Sequence, residues 1–350
     1  MQCHGMVISI RLPPGIPAGG PVKKHMTATE RIDEIMAEIT CIGQALMDCI
    51  TRDIEREPAG SRAHRAKSIT LSIGGDAINE AMVLKRLGHE VRLVCGLGDD
   101  LAGKMILGTM KELGVDCSLT DIAADRPTPV ANLMVEADGS RNSVNSYSSM
   151  LGHYVPDLRA ATDTKILSLA SLFRAPLDRH QSVITLVKEA KRNGCLVCAD
   201  TKIPTFRKMT FGDIAEILPM IDYIFPNLEE AAFFSGRKDI AGMSSFFLDA
   251  GVRHVIIKAG PEGSYVCGEN EQFHMKAYPV EAVDATGAGD NYVAGFLSGL
   301  LRGFSLYECS QYGTVCAAAC VRRLGAGGGV QSRKEADALF SLSQSSTGIF

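Results

Sequence analysis

A doubly wound α/β domain on a mainly parallel sheet is the fold that the sequence predicts, on three observations. Short, nearly continuous apolar runs of strand length alternate with segments of helical periodicity from about residue 39 onward. The strand-like runs lack the alternation of a half-exposed sheet, as expected where helices cover both faces. Two stretches, 51–73 and 130–147, break the rhythm and read as hairpins with no helix beside them in sequence.

Residues 1–38 contain Pro13, Pro14, Pro17 and Pro21, then a short polar helical pattern from Thr29 to Glu38. They read as a poorly ordered extension, with the folded domain spanning 39–345. The first strand is Ile39–Gly43, leading to Asp48. A helix over Ala77–Leu87, a strand over Val91–Cys95 and a helix over Leu101–Leu113 follow. Further strands fall at Ile166–Leu169, Leu196–Ala199, Tyr223–Phe225 and His254–Ile257, and helices at Gln181–Lys191, Asn227–Ser235, Met243–Ala250 and Leu306–Leu324. Asp138-Gly139 is the strongest short hairpin signal, and it places a turn within the second uncovered stretch. Together the two hairpins make a small antiparallel sheet projecting as a lid. Gly325–Gly329 reads as a tight loop.

At 350 residues, with 46% hydrophobic and 22% charged side chains, the chain has an ordinary globular composition. The net charge of -4, without a long basic run, gives no footprint for nucleic acid or an anionic membrane. No apolar stretch reaches the roughly 18 residues that cross a bilayer, and the first 38 residues lack a secretory apolar centre, so a cytoplasmic location is expected. The 11 cysteines lie scattered in apolar segments, as buried thiols in a reducing compartment do. Cys195 and Cys198 form a CxxC inside a strand, and two core thiols are the default reading.

The stretch Asp284-Ala285-Thr286-Gly287-Ala288-Gly289-Asp290 carries the most chemistry. Gly287 and Gly289 crowd backbone amides at a helix start, and Asp290 falls in the first turn, where the helix dipole favours the ionised acid. Amides beside a poised carboxylate suit phosphoryl transfer to a hydroxyl; a helix entry capped by Asp290 is the alternative. Gly74-Gly75-Asp76-Ala77-Ile78-Asn79 puts two polar side chains three apart after a tight turn, an arrangement for ligand hydroxyls. Capping by Asp76 and exposure of Asn79 is the alternative. Gly98–Met105 has P-loop spacing, but Met105 stands where magnesium needs Ser or Thr, and Asp99 and Asp100 would repel phosphate. Gly96 and Gly98 follow a strand, but Leu101 occupies the third glycine position of a dinucleotide motif.

Two motifs in order, GGDAINEA with KRLG and GLGDDLAGK in Gly74–Ile106, and DATGAGD in Val283–Gly299, resemble those of the ribokinase-like, or PfkB, carbohydrate kinase family. The resemblance covers about residues 39–340. It implies a three-layer α/β/α sandwich with a β-sheet lid that covers the sugar and often pairs two subunits. It implies ATP-dependent phosphorylation of a small sugar, with Asp290 as general base and the amides of Gly287, Ala288, Gly289 and Asp290 as anion hole. Asn227 and Glu230, an NxxE element, correspond to positions that organise Mg2+ through its waters. Asp200 matches a position facing the phosphates, Gly260 and Gly263 line the nucleotide, and Lys258 stands where many relatives have Thr. The base would lie between Gly260–Gly263 and Ala317–Val321. Backbone oxygens of Asp284 and Thr286, with the turn near Gly325–Gly329, correspond to a K+ site. Asp48, Gly74, Gly75, Asp76 and Asn79 form the acceptor side. Asp76 in place of a basic residue disfavours a phosphorylated sugar. A ribose- or fructose-like acceptor is expected, with 2-keto-3-deoxygluconate and a nucleoside as alternatives. Relatives acting on that keto acid use tyrosine and arginine after the second lid strand; this chain has Tyr147 without the arginine, and Lys202 or Arg174 would have to supply the charge. A sugar or nucleotide sensor without catalysis is the non-enzymatic alternative, and an intact Asp290 argues against it.

Overall fold

The strands alternate their side chains between two apolar layers, and that alternation sets the architecture of the computed structural model. Residues 37–55, 64–136, 141–146, 154–205, 207–323 and 325–344 are described. Residues 1–36 of the expected N-terminal extension, the Asp138-Gly139 turn and Tyr147 lie outside them. Eight strands form the main sheet: β1 (Ala37–Ile42), β4 (Val91–Val94), β9 (Thr164–Leu172), β10 (Leu196–Thr201), β11 (Tyr223–Ile224), β12 (His254–Lys258), β13 (Ser264–Gly268) and β14 (Gln272–Met275). Their order is β14-β13-β12-β11-β10-β9-β1-β4, parallel from β4 to β12 and antiparallel through β13 and β14. The first strand starts at Ala37, so Ala37 and Glu38 belong to the sheet and not to a polar helix.

Ile39, Cys41, Leu93, Ile166 and Cys198 face one layer, made by α1 (Asp76–Arg86), α2 (Leu101–Glu112), α6 (Ala288–Leu301), α7 (Leu306–Val321) and α8 (Arg333–Gln344). Ile42, Val94, Leu167, Leu169, Val197 and Val255 face the other, made by α3 (His180–Arg192), α4 (Leu228–Ser235) and α5 (Ile240–Asp249). This is the three-layer sandwich. It also resolves the CxxC: Cys195 and Cys198 belong to opposite layers, the consequence of an odd spacing along extended chain, and both are free core thiols.

A second sheet is built from β2 (Leu46–Glu55), β3 (Arg65–Gly74), β7 (Val130–Val135) and β8 (Arg141–Asn145) in the order β3-β2-β7-β8. Each hairpin is antiparallel, but the central β2–β7 pair is parallel, so the lid is mixed and not wholly antiparallel. The first hairpin follows β1 directly and the second follows Asp121–Ala123, and their first strands run the same way. The first hairpin begins at Leu46, not Thr51, which places Asp48 inside a lid strand. A separate two-stranded pair, β5 (Gly96–Gly98) with β6 (Asp121–Ala123), joins β4 to the lid. Asp100 caps α2 by accepting from the Gly103 amide at 2.8 Å and binds Thr128, so the P-loop-like stretch is a helix entry. Among the described residues no helix is long and apolar enough to cross a membrane.

Candidate active site

Helix α6 starts at the carboxyl edge of the sheet, and its cap fixes the local geometry. Gly287 takes φ 75°, the left-handed region, and a Cβ there would overlap Ala326 of the glycine-rich turn. Asn291 locks the two segments together by donating to the carbonyls of Gly287 at 2.8 Å and Ala326 at 3.2 Å. The Ala288 amide turns back to the Ala285 carbonyl at 3.2 Å, whereas Gly289 and Asp290 fall in the first turn, where helix amides lack intrahelical acceptors. Asp284 accepts from the amide and hydroxyl of Thr286 at 3.0 and 2.7 Å, and from the Gly325 amide at 2.9 Å. Burial works against its ionisation, but these donors hold its carboxyl below the usual range. The loop of Asp284 and Thr286 and the Gly325–Gly329 turn are thus brought together.

Asp290 is 5% exposed and does not cap α6, since Gly287 occupies the cap. Its Oδ2 accepts from Asn79 Nδ2 at 2.7 Å, joining two motifs 211 residues apart. Burial, then the charge of Asp76, pushes its carboxyl up to about 7, against the opposing pull of Lys202 and Asn79. Asn79 is buried and Asp76 does not cap α1; the alternatives for both are excluded. Asp76 Oδ2 accepts from Ser171 Oγ at 2.8 Å, and Oδ1 lies 3.3 Å from Lys202 Nζ. Asp48 packs against Gly74, where a Cβ would overlap its carboxylate. Burial and the nearby Asp76 raise Asp48 to about 6. Gly75 supplies the sharp turn into α1 at φ 104°.

On the opposite side, an elongated cleft of about 460 Å³ is lined by Lys258, Gly260, Gly263, Ala288, Gly289, Ala317, Ala318 and Val321, among others. It lies between the β12–β13 turn and α7, where the sequence places the base. The Lys258 side chain is 11% exposed, and Nζ binds Asp200 Oδ2 at 2.6 Å. The Asp200 side chain is fully buried, and its Oδ2 accepts from Lys258, whose side chain lines the cleft. Asn227 and Glu230 form a reciprocal capping box on α4, with Glu230 N to Asn227 Oδ1 at 2.8 Å and Asn227 N to Glu230 Oε2 at 2.9 Å. The same Glu230 oxygen accepts from Thr201 Oγ1 at 3.1 Å. Burial, then Asp200, pushes the Glu230 carboxyl up.

The sequence reading passed over Ser171 and Glu80. Ser171 Oγ accepts from the Gln44 amide at 3.2 Å while donating to Asp76, tying the loop after the first strand to the acceptor-side helix. Glu80 is completely buried, one position past Asn79, and binds Ser168 Oγ at 2.6 Å; burial raises its carboxyl well above the usual range. A hydroxyl within a strand buried on both faces, as at Ser168 and Ser171, is the signal that was available.

Residues 36–333 match the model of the pfkB family of carbohydrate kinases. A ribokinase of Haemophilus influenzae is 28% identical over 271 residues, covering 76% of this chain and 86% of the relative. A 2-dehydro-3-deoxygluconokinase of Bacillus subtilis is 25% identical over 293 residues, covering 78% and 87%. The structure of Arabidopsis thaliana ribokinase complexed with ribose and ATP superimposes with a TM-score of 0.77 at 24% identity, covering 87% of this chain and 99% of that one. With the family match spanning most of its length and the ribokinase-like sandwich and lid in place, the chain belongs to the pfkB family of carbohydrate kinases.

Proposed function

We propose that this carbohydrate kinase transfers the γ-phosphoryl group of ATP to a hydroxyl of a small neutral sugar, ribose- or fructose-like. The observation that carries the reading is the 2.7 Å bond from Asn79 to Asp290, which sets a buried carboxylate between the polyol-type turn of α1 and the amides at the start of α6. Asp290 takes the proton from the acceptor hydroxyl as the phosphoryl group approaches. The Gly289 and Asp290 amides, with Lys258 at the cleft wall, receive the negative charge of the transferring group. Asp48, Asp76 and Asn79 hold the acceptor hydroxyls.

Among the described residues no three His, Cys, Asp or Glu side chains converge into a metal cage. The donor set fits Mg2+ that keeps its waters: Glu230 is an acid of raised affinity for positive charge beside an unpartnered, buried Asp200 Oδ1. Asn227 and Glu230 would hold the hydrated ion, which supplies neutralisation of triphosphate charge. Backbone oxygens of Asp284 and Thr286 would take K+ beside the glycine turn. Buried thiols such as Cys41 and Cys198 suit a reducing, cytoplasmic compartment.

A second reading, a sugar acid as acceptor, is favoured by one observation. Arg174 Nε donates to the Ile203 carbonyl at 2.7 Å, which brings a second cation next to Lys202 on the Asp76 side. The test is ATP consumption with Mg2+ over a panel of neutral sugars, keto acids and nucleosides. One acceptor should support turnover and Asp290→Asn should reduce it by at least about a thousandfold. No turnover with any acceptor would reject the kinase reading.

A further inference from the structure

Lys202 is a half-buried cation set among the acids of this site, its side chain 25% exposed. It follows β10, and its ammonium lies 3.3 Å from Asp76 Oδ1 while Ser171 engages the other oxygen. Asp76 and Asn79 share one face of the first turn of α1, three residues apart, and Asn79 holds Asp290. The groups that face Asp290 are Asp76 and Glu80 from α1, Asp200 and Lys202 from the end of β10, and Cys320 from α7. Lys202 is the one cation in that set; the other three charged neighbours are acids.

Resting on the reading of Asp290 as the base, we propose that Lys202 is a positioning residue that neutralises Asp76 and so keeps the Asp290 carboxylate ionised and bonded to Asn79 for proton abstraction. Burial by itself would favour loss of the Lys202 proton, but Asp76, Asp200, Asp290 and Glu230 hold the ammonium well above its usual range, so the charge persists across the working pH range. Without it, Asp76 loses its ion-pair partner and keeps only the Ser171 bond and the charge of Arg174, and like charges in a closed site resist joint ionisation.

The test compares Lys202→Met and Lys202→Arg with the unaltered chain in two measurements. The pH profile of kcat/KM should show an acid limb near pH 7, where Asp290 ionises. In Lys202→Met the limb moves up by about one unit, so its deficit shrinks about fivefold between pH 7 and pH 9, while Lys202→Arg keeps the limb in place. Independently of turnover, protein labelled at the aspartate side-chain carboxyl carbon is titrated by NMR, with the Asp290 resonance assigned by its loss in Asp290→Asn. The Asp290 titration should move up in Lys202→Met and stay in Lys202→Arg. An unmoved carbon titration in Lys202→Met, or a deficit equal at all pH values, overturns the role. Absence of turnover in the unaltered chain would reject the kinase reading instead, leaving the carbon titration to decide the electrostatic role.

Discussion

At the scale of single residues, the acid proposed as the base is also one that destabilises the fold. The Asp290 carboxyl is raised from 3.8 to about 7 by burial and by Asp76, so between those values the folded chain holds a proton that the unfolded chain has released. The stability contributed by the protonated form is full below about pH 4 and is lost as pH rises toward 7. Asp290→Asn, which mimics the protonated acid in shape, should therefore stabilise the protein at pH 8 by on the order of 1–3 kcal/mol and leave stability at pH 4 nearly unchanged. Urea unfolding at the two pH values checks this; equal effects at both would contradict it. Asp290 and the glycines before it were legible as a candidate site because they stand together in one short stretch. The Lys258–Asp200 pair was not, since it joins two strands that are 58 residues apart and is set by sheet order.

At the scale of elements, the NxxE sequence is legible twice over. Asn227 and Glu230 satisfy two otherwise unpaired amides at the start of α4, which any helix of this sequence would use. Only the tertiary structure adds Thr201 to the same Glu230 oxygen, fixing the acid against β10. Asn227→Ala should cost about 1 kcal/mol in denaturant unfolding, whereas Asn227→Asp, a good cap, should restore most of it. Failure of Asp to restore stability would mean that Asn227 acts through something other than the cap. The lid strands were legible as hairpins but not in their pairing. Strand alternation says which residues share a face, and the parallel β2–β7 contact joins strands far apart in sequence, so no local pattern marks it.

At the scale of the whole molecule, the lid exposes apolar side chains that the sandwich does not cover. Ile69 on β3 is 66% exposed, Leu71 is 61% exposed, and Val144 on β8 adds to the apolar surface. We propose that two copies pair through this sheet, which would cover these side chains. Leu71→Asp should turn a dimer into a monomer in light scattering across a concentration series. A chain that is already monomeric at all concentrations would reject the pairing.

The fold class was legible in the sequence because apolar periodicity marks strands and helices in order, the family because its glycine motifs are local, and Asp290, Asn79, Asn227 and Glu230 were legible there as candidates. The tertiary structure alone decided which charges meet. Lys202 came to rest on Asp76, Lys258 on Asp200, and Asn79 on Asp290. Those pairings depend on strand order and helix placement, and a buried charge is stable only where the fold delivers its partner.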